Sequence, residues 1–76
     1  MSEKKLNRIL RRLSKIKNIA IEELNDYYEE VYISCDTSIK TIDKITRFCK
    51  KHKLTISKME VCDTTLYVDI AYNLRG

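Results

Sequence analysis

Eight Lys and Arg residues occur at matched helical spacing in two parts of the chain, and together they could bind phosphate groups. The steps between neighbours are 4, 3 and 4 residues in both sets, and the second set follows 36 residues after the first: Lys4, Arg8, Arg11, Lys15 and Lys40, Lys44, Arg47, Lys51. At about 100° per residue, these steps place each set on one face of a helix. Because cationic side chains neutralise phosphates, this duplicated basic face predicts nucleic-acid binding.

Apolar residues recur opposite each basic set, as they do in an amphipathic helix. They are Leu6, Ile9, Leu10 and Leu13 in the first segment and Ile42, Ile45 and Cys49 in the second. The pattern therefore predicts helices over residues 3–17 and 38–53. A side-chain oxygen can accept a hydrogen bond from the first turn of a helix, so Ser2 is the expected N-cap of the first helix, and Asp36 or Thr37 that of the second.

The charges divide sharply along the chain, beneath a formal net charge of +4. Residues 1–17 carry seven Lys and Arg against Glu3, and residues 37–53 carry six against Asp43. Residues 18–36 carry six acids and no Lys or Arg. Basic residues that merely solvate the outer faces of helices are the plain alternative to phosphate binding. The near absence of acids favours binding, because mixed charges with i,i+4 pairs would suit solubility better.

Two strand-like segments follow each helix, with turns expected at Asn25-Asp26 and at Asp63-Thr64. The strands are expected at residues 18–24, 30–35, 55–62 and 65–72. The alternation of apolar residues slips by one position between Ile56 and Met59, which predicts a β-bulge there.

The order of elements predicts an α+β fold made of two αββ repeats, residues 3–36 and 37–73, within one domain of residues 1–76. One repeat cannot bury its helix face alone, so we expect a four-stranded antiparallel sheet with both helices packed on one face. The more apolar segments, 30–35 and 65–72, are the expected central strands. This layout resembles a ferredoxin-like two-layer sandwich in permuted form.

Tyr32 and Tyr67 are expected at equivalent places on the open face of this sheet, because side chains alternate along a strand. Aromatic residues in such a place stack bases in some RNA-binding sheets. Here Glu30 and Asp69 share the face and would repel a phosphate backbone. A protein contact is therefore the expected role of these tyrosines, for example the interface of a homodimer.

Cysteine and histidine usage gives no basis for a metal site or for catalysis. Cys49 and His52 have half of a zinc spacing, but a helix would separate Cys49 from Cys35 by about 20 Å. Neither a nucleophile motif nor a Gly-rich phosphate loop is present, so we expect no enzyme activity, no cofactor and no metal. Three cysteines without a CxxC pair indicate reduced thiols in the cytoplasm, and no apolar run approaches the roughly 20 residues of a membrane span.

The sequence thus favours a small nucleic-acid-binding protein, with DNA as the expected ligand and little sequence specificity. Lys and Arg contacts to the phosphate backbone position a protein without reading bases. The alternative is a protein-binding regulator or inhibitor that uses the acidic first hairpin or the face carrying Tyr32 and Tyr67.

Overall fold

Two helices and four strands follow one another in the computed structural model, which describes residues 1–73. Their order is α1 (Glu3–Leu13), β1 (Ile19–Asn25), β2 (Glu30–Asp36), α2 (Ile39–Lys51), β3 (Thr55–Cys62) and β4 (Thr65–Ala71). The prediction of an α+β chain with two helices and a four-stranded antiparallel sheet is confirmed.

The strands pair antiparallel in the order β1-β2-β4-β3, so β2 and β4 are central and β1 and β3 form the edges, as predicted. In the central pair, Tyr32 lies opposite Asp69, and Ser34 lies opposite Tyr67. The hairpin from β3 to β4 turns at Asp63 and Thr64, with Asp63 at a φ of 56°. Asp tolerates this left-handed conformation better than most residues, which explains its place in the turn.

The hydrophobic core lies between the helices and one face of the sheet. Residues from both helices and both central strands form a single buried cluster: Leu6, Ile9 and Leu13 of α1, Ile45 and Cys49 of α2, Val31, Ile33 and Cys35 of β2, and Leu66, Val68 and Ile70 of β4. Because one face of the central strands meets both helices, the two helices cover the same side of the sheet. The other side is not covered by any element of residues 1–73.

Helix α1 is shorter than predicted, since it ends at Leu13. The backbone N–H of the capping Ser14 donates to the carbonyl of Leu10 at 2.9 Å, and its hydroxyl donates to the carbonyl of Arg11 at 2.7 Å. After it, Ile16 packs against the core and Asn18 adopts a φ of 71° to lead into β1. Lys15 therefore lies in the connecting turn, and its assignment to the helical basic face was wrong.

The N-cap of the first helix was predicted correctly, but that of the second was not. Ser2 accepts a hydrogen bond from the Lys5 N–H at 3.1 Å, whereas α2 is capped by Ser38, which accepts from the Thr41 N–H at 3.2 Å. Asp36 is still paired with Thr65 at the end of β2 and accepts from the Ser38 N–H at 3.2 Å. It orients the cap rather than forming it.

Both edge strands contain a register irregularity. The one in β3 falls between Ile56 and Lys58, where a bulge was predicted. The one in β1 falls between Ile21 and Glu23 and was not predicted.

Candidate nucleic-acid interface

The helices place seven of the eight predicted basic residues on exposed helix surface, and Lys15 is exposed in the turn that follows α1. On α1, the wheel positions of Lys4, Arg8 and Arg11 are opposite the buried Leu6, Ile9 and Leu13. On α2 the four basic residues lie away from the buried positions Thr41, Ile45 and Cys49. We call Lys4, Arg8, Arg11, Lys40, Lys44, Arg47 and Lys51 the basic helical face.

Most cations of this face have no partner of opposite charge within residues 1–73. Arg47 is the exception, because its Nε lies 3.0 Å from Oδ2 of Asp43, one turn earlier on α2. Both side chains of this pair are largely exposed, so the pair contributes little to stability. The other six cations are therefore available to an anionic ligand.

A surface depression of about 240 Å³ lies along α1 between the basic side chains. It is lined by Lys4, Asn7, Arg8 and Arg11. Asn7 was not among the predicted site residues, although its spacing of three from Lys4 and four from Arg11 could have identified it. Its side-chain amide adds a neutral hydrogen-bond donor of the kind that protein–DNA contacts to phosphates include.

Charge separates by layer in the folded chain. Residues 1–18 and 37–53, which contain both helices, carry thirteen Lys and Arg and two acids, a formal charge of +11. Residues 19–36 and 54–73, which form the sheet and its turns, carry nine acids and one Lys, a formal charge of −8. A basic layer of this kind creates a positive potential on one side of the molecule.

Three acids of the sheet layer, unlike these cations, accept hydrogen bonds from hydroxyl groups: Glu22, Asp26 and Glu30. Both carboxylate oxygens of Glu30 accept hydrogen bonds, one from the Tyr32 hydroxyl at 3.3 Å and one from the Ser57 hydroxyl at 2.6 Å. Desolvation and the nearby Glu30 carboxylate raise the pKa of Tyr32. These bonds fix the Glu30 side chain between β2 and β3.

A similar hydrogen bond joins Tyr72, which follows β4, to the turn between β1 and β2. The buried Tyr72 donates its hydroxyl to Oδ1 of Asp26 at 3.1 Å, and its backbone N–H donates to the Glu29 carbonyl at 2.9 Å. Desolvation and the Asp26 carboxylate together raise the pKa of Tyr72 to about 12. Glu29 has a φ of 53° in this turn, so the contact holds an unfavourable backbone conformation in place.

Tyr32 and Tyr67 both point to the open face of the sheet, as predicted. Tyr67 is 43% exposed, while Tyr32 is half-buried. The two rings are diagonal neighbours, because Tyr67 lies opposite Ser34 and Tyr32 lies opposite Asp69. Their surroundings are acidic, because the carboxylates of Glu30 and Asp69 lie near Tyr32.

The cysteines and the histidine form no shared site. Cys35 and Cys49 are buried free thiols, and Cys62 is exposed. Burial raises the pKa of Cys49 to about 11, so this thiol stays protonated at neutral pH. His52 lies against Phe48, with ring centroids 4.4 Å apart; desolvation and neighbouring cations lower its pKa. In the described part of the chain, no group of three or more His, Cys, Asp or Glu could hold a metal ion.

No family model matches the chain, and neither do any curated proteins or solved structures. Neither helix of residues 1–73 is long and apolar enough to cross a membrane.

Proposed function

We propose that this chain is a small cytoplasmic nucleic-acid-binding protein that holds the phosphates of DNA on its basic helical face. The observation that carries the proposal is the layered charge: a helical layer of +11 on a sheet layer of −8. The proposal assigns the protein no catalysis, cofactor or metal.

The dimensions of the helices support contact with several phosphates at once. With a rise of 1.5 Å per residue, Lys4 and Arg11 lie about 10 Å apart along α1, and Lys40 and Lys51 about 16 Å apart along α2. Duplex DNA carries one charge per roughly 1.7 Å of its axis, so both helices span several phosphates. If each of the seven cations displaced a counterion from a DNA phosphate, the slope of log affinity against log salt would be about −6.

The contacts of this face are to the backbone, which implies weak sequence preference. The seven side chains are Lys and Arg on exposed helix surface, and Asn7 adds one amide beside them. Contacts of this type position a protein on nucleic acid without reading base edges. Duplex DNA is the expected ligand, and single-stranded DNA and RNA are the comparisons that test it.

A second candidate function is a protein-binding regulator that uses the open sheet face or the first hairpin. The observation that favours it is the half-exposed Tyr67 on an acidic, uncovered face. A positively charged partner protein would suit this surface, since tyrosine rings attract cations. In that case the basic helical face would serve only to solvate the helices.

We also infer that the two αββ halves are an internal repeat, arranged as a permuted ferredoxin-like sandwich. Three correspondences at a separation of 35 residues support this inference. Asn18 and Lys53 both have positive φ before an edge strand, the register breaks at Ile21 and Ile56 are equivalent, and Tyr32 corresponds to Tyr67.

The test is a binding titration with short duplex DNA, single-stranded DNA and RNA over a salt series. The double substitution Arg8→Gln with Arg11→Gln removes two charges from the basic helical face. The control, Ala20→Glu with Thr55→Glu, lowers the net charge equally at two exposed positions of the sheet layer. We expect the first variant to lose about two units of salt slope and about tenfold in affinity at low salt, and the control to bind within about twofold of the original protein.

Two results would refute the proposal. One is the absence of binding to any nucleic acid at low salt, which would leave the protein-binding candidate. The other is an equal loss of affinity in both double variants, which would mean that net charge alone, and not the helical face, governs binding.

A further inference from the structure

Edge strand β3 exposes large apolar side chains on the side of the sheet that the helices cover. Met59 is 42% exposed and Val61 is 61% exposed, although their partners across the ladder, Val68 and Leu66, are buried. The helices therefore shield the central strands more completely than they shield Met59 and Val61 at this edge. An exposed apolar edge strand can pair with another chain, and natural proteins usually protect such edges.

The backbone of β3 is also unpaired along its outer edge. As an edge strand it pairs with β4 only, so its outer N–H and C=O groups face no other strand of residues 1–73. β3 contains no Pro or Gly, and its register irregularity lies before Lys58, so the segment from Lys58 to Cys62 is regular. The edge thus combines free hydrogen-bonding groups with apolar surface.

Charge on β3 favours a second copy of the same strand. Lys58 and Glu60 point to the open face and form an ion pair of 3.5 Å within the strand. When two β3 strands pair antiparallel with Met59 opposite Met59, each Lys58 faces the Glu60 of the other copy. Moving the register by two residues instead places Glu60 against Glu60 or Lys58 against Lys58, and opposed like charges are unfavourable.

The other edge lacks this complementarity. On β1, Ile21 and Leu24 are also partly exposed, at 36% and 41%. The adjacent acids Glu22 and Glu23 occupy the middle of the strand, and β1 contains no Lys or Arg. Pairing two β1 strands would therefore bring acids together.

We propose that two copies of this chain pair through their β3 edges, antiparallel and with Met59 on the two-fold axis, to form an eight-stranded sheet. The axis is perpendicular to the sheet, so all four helices lie on the same side and the two basic helical faces become neighbours. The pairing is isologous and closes after two copies. It does not depend on nucleic-acid binding.

The first test is the mass in solution, measured by light scattering without nucleic acid over a range of concentrations. We expect about twice the 9.0 kDa of the chain. Met59→Asp should weaken the dimer by at least about a hundredfold, because the carboxylate would be buried between two apolar surfaces. Leu24→Asp is the matched control, at a residue of nearly equal exposure on β1 (41% against 42% for Met59), and should remain dimeric.

Charge exchange tests the register without changing apolar residues. Lys58→Glu and Glu60→Lys should each weaken the dimer, and the variant that carries both substitutions should recover it. A second readout is disulfide formation in a Cys62→Ser background. Met59→Cys should form an intermolecular disulfide, since directly opposed residues lie about 4.5–5.5 Å apart. Val61→Cys should form no such disulfide, because in this register residue 61 of one copy lies opposite Ser57 of the other and far from residue 61 of the other.

Several outcomes would overturn the pairing. One is a monomeric mass at every concentration, and another is a particle larger than a dimer. A third is an equal shift from the dimeric to the monomeric mass in Met59→Asp and Leu24→Asp. A dimer that survives Met59→Asp and is lost with Tyr67→Asp would place the interface on the open sheet face instead. If the variant with both Lys58→Glu and Glu60→Lys does not recover the dimer, the register with Met59 opposite Met59 is refuted.

Discussion

The acids of the sheet layer and the cations of the helical layer differ in what they contact. Glu22, Glu30 and Asp26 accept hydrogen bonds from Ser or Tyr hydroxyls on other parts of the sheet and its turns. Of the basic helical face, only Arg47 has an ion-pair partner among the described residues. These three acids contribute to the fold, whereas the other six cations of the basic helical face remain available for a ligand.

Spacing explains this difference. Neighbouring strands bring side chains within about 4.5–5.5 Å of one another, so a carboxylate readily finds a hydroxyl. On the helices, residues three and four apart are neighbours, and Lys4, Arg8 and Arg11 are all cations. Like charges at such spacing destabilise a helix by about 0.2–0.5 kcal/mol per pair. The basic helical face therefore lowers stability slightly, which is reasonable if it serves binding.

The largest effect on stability should come from the hydroxyl that holds Asp26. Tyr72→Phe removes this hydrogen bond and should lower the free energy of unfolding by about 1 kcal/mol. Tyr27→Phe, at an 87% exposed ring, is the control and should have no effect. By contrast, Arg8→Gln with Arg11→Gln should leave stability unchanged or slightly higher. Urea unfolding of the original protein and these three variants measures the effect. If only the double arginine variant lost stability, the cations and not the acids would contribute to the fold.

The Tyr72 hydroxyl should also make the free energy of unfolding depend on pH in the alkaline range. Its pKa is raised from 10.0 to about 12 in the folded chain, so the folded state retains a proton that the unfolded state releases. This stabilisation is complete below pH 10 and is lost as the pH rises through about 12. Tyr72→Phe should flatten that part of the profile. An unchanged slope between these pH values would show that the Tyr72 hydroxyl is not held as described.

A smaller effect is expected at a cation that lies outside the basic helical face. Lys53 has a φ of 57° after α2, where the Leu54 N–H donates to the Cys49 carbonyl at 2.8 Å. Glycine is preferred at this position, so Lys53→Gly should stabilise the chain by about 0.5 kcal/mol.

The matched control removes the same charge from within the helix. Lys50→Gly should destabilise the chain by up to about 1 kcal/mol, because glycine is unfavourable in a helical turn. Thermal unfolding measures both variants, and DNA binding should change little in either. A large loss of affinity in Lys53→Gly would extend the interface beyond the residues assigned to it.

Periodicity along the chain was enough to predict the order of elements and the identity of the central strands. It also predicted the bulge near Ser57, from the slip between Ile56 and Met59. The same slip occurs between Ile21 and Leu24, where apolar residues are three apart, and it marks the bulge in β1 that was not predicted. That signal was present in the sequence.

The ends of the helices were not predictable from local spacing. Lys15 continues the 4, 3, 4 pattern of α1, but the packing of Ile16 against the core ends the helix before it. Likewise, Asp36 is a good capping residue by type, yet its pairing with Thr65 keeps it in β2 and leaves the cap to Ser38. In both places tertiary contacts override local preference. The separation of charge by layer could be predicted once both helices were placed on one side of the sheet.

The two faces can be compared in a single titration of the ¹⁵N-labelled protein with a short DNA duplex, followed by amide chemical shifts. The basic helical face predicts that the shifts change at α1 and α2, around Lys4, Arg8, Arg11, Lys40 and Lys44. The amides of Tyr32, Tyr67 and Asp69 should stay unchanged, and added salt should reverse the shifts. Changes centred on the open sheet face, or no change at low salt, would contradict the assignment of the helices as the binding surface.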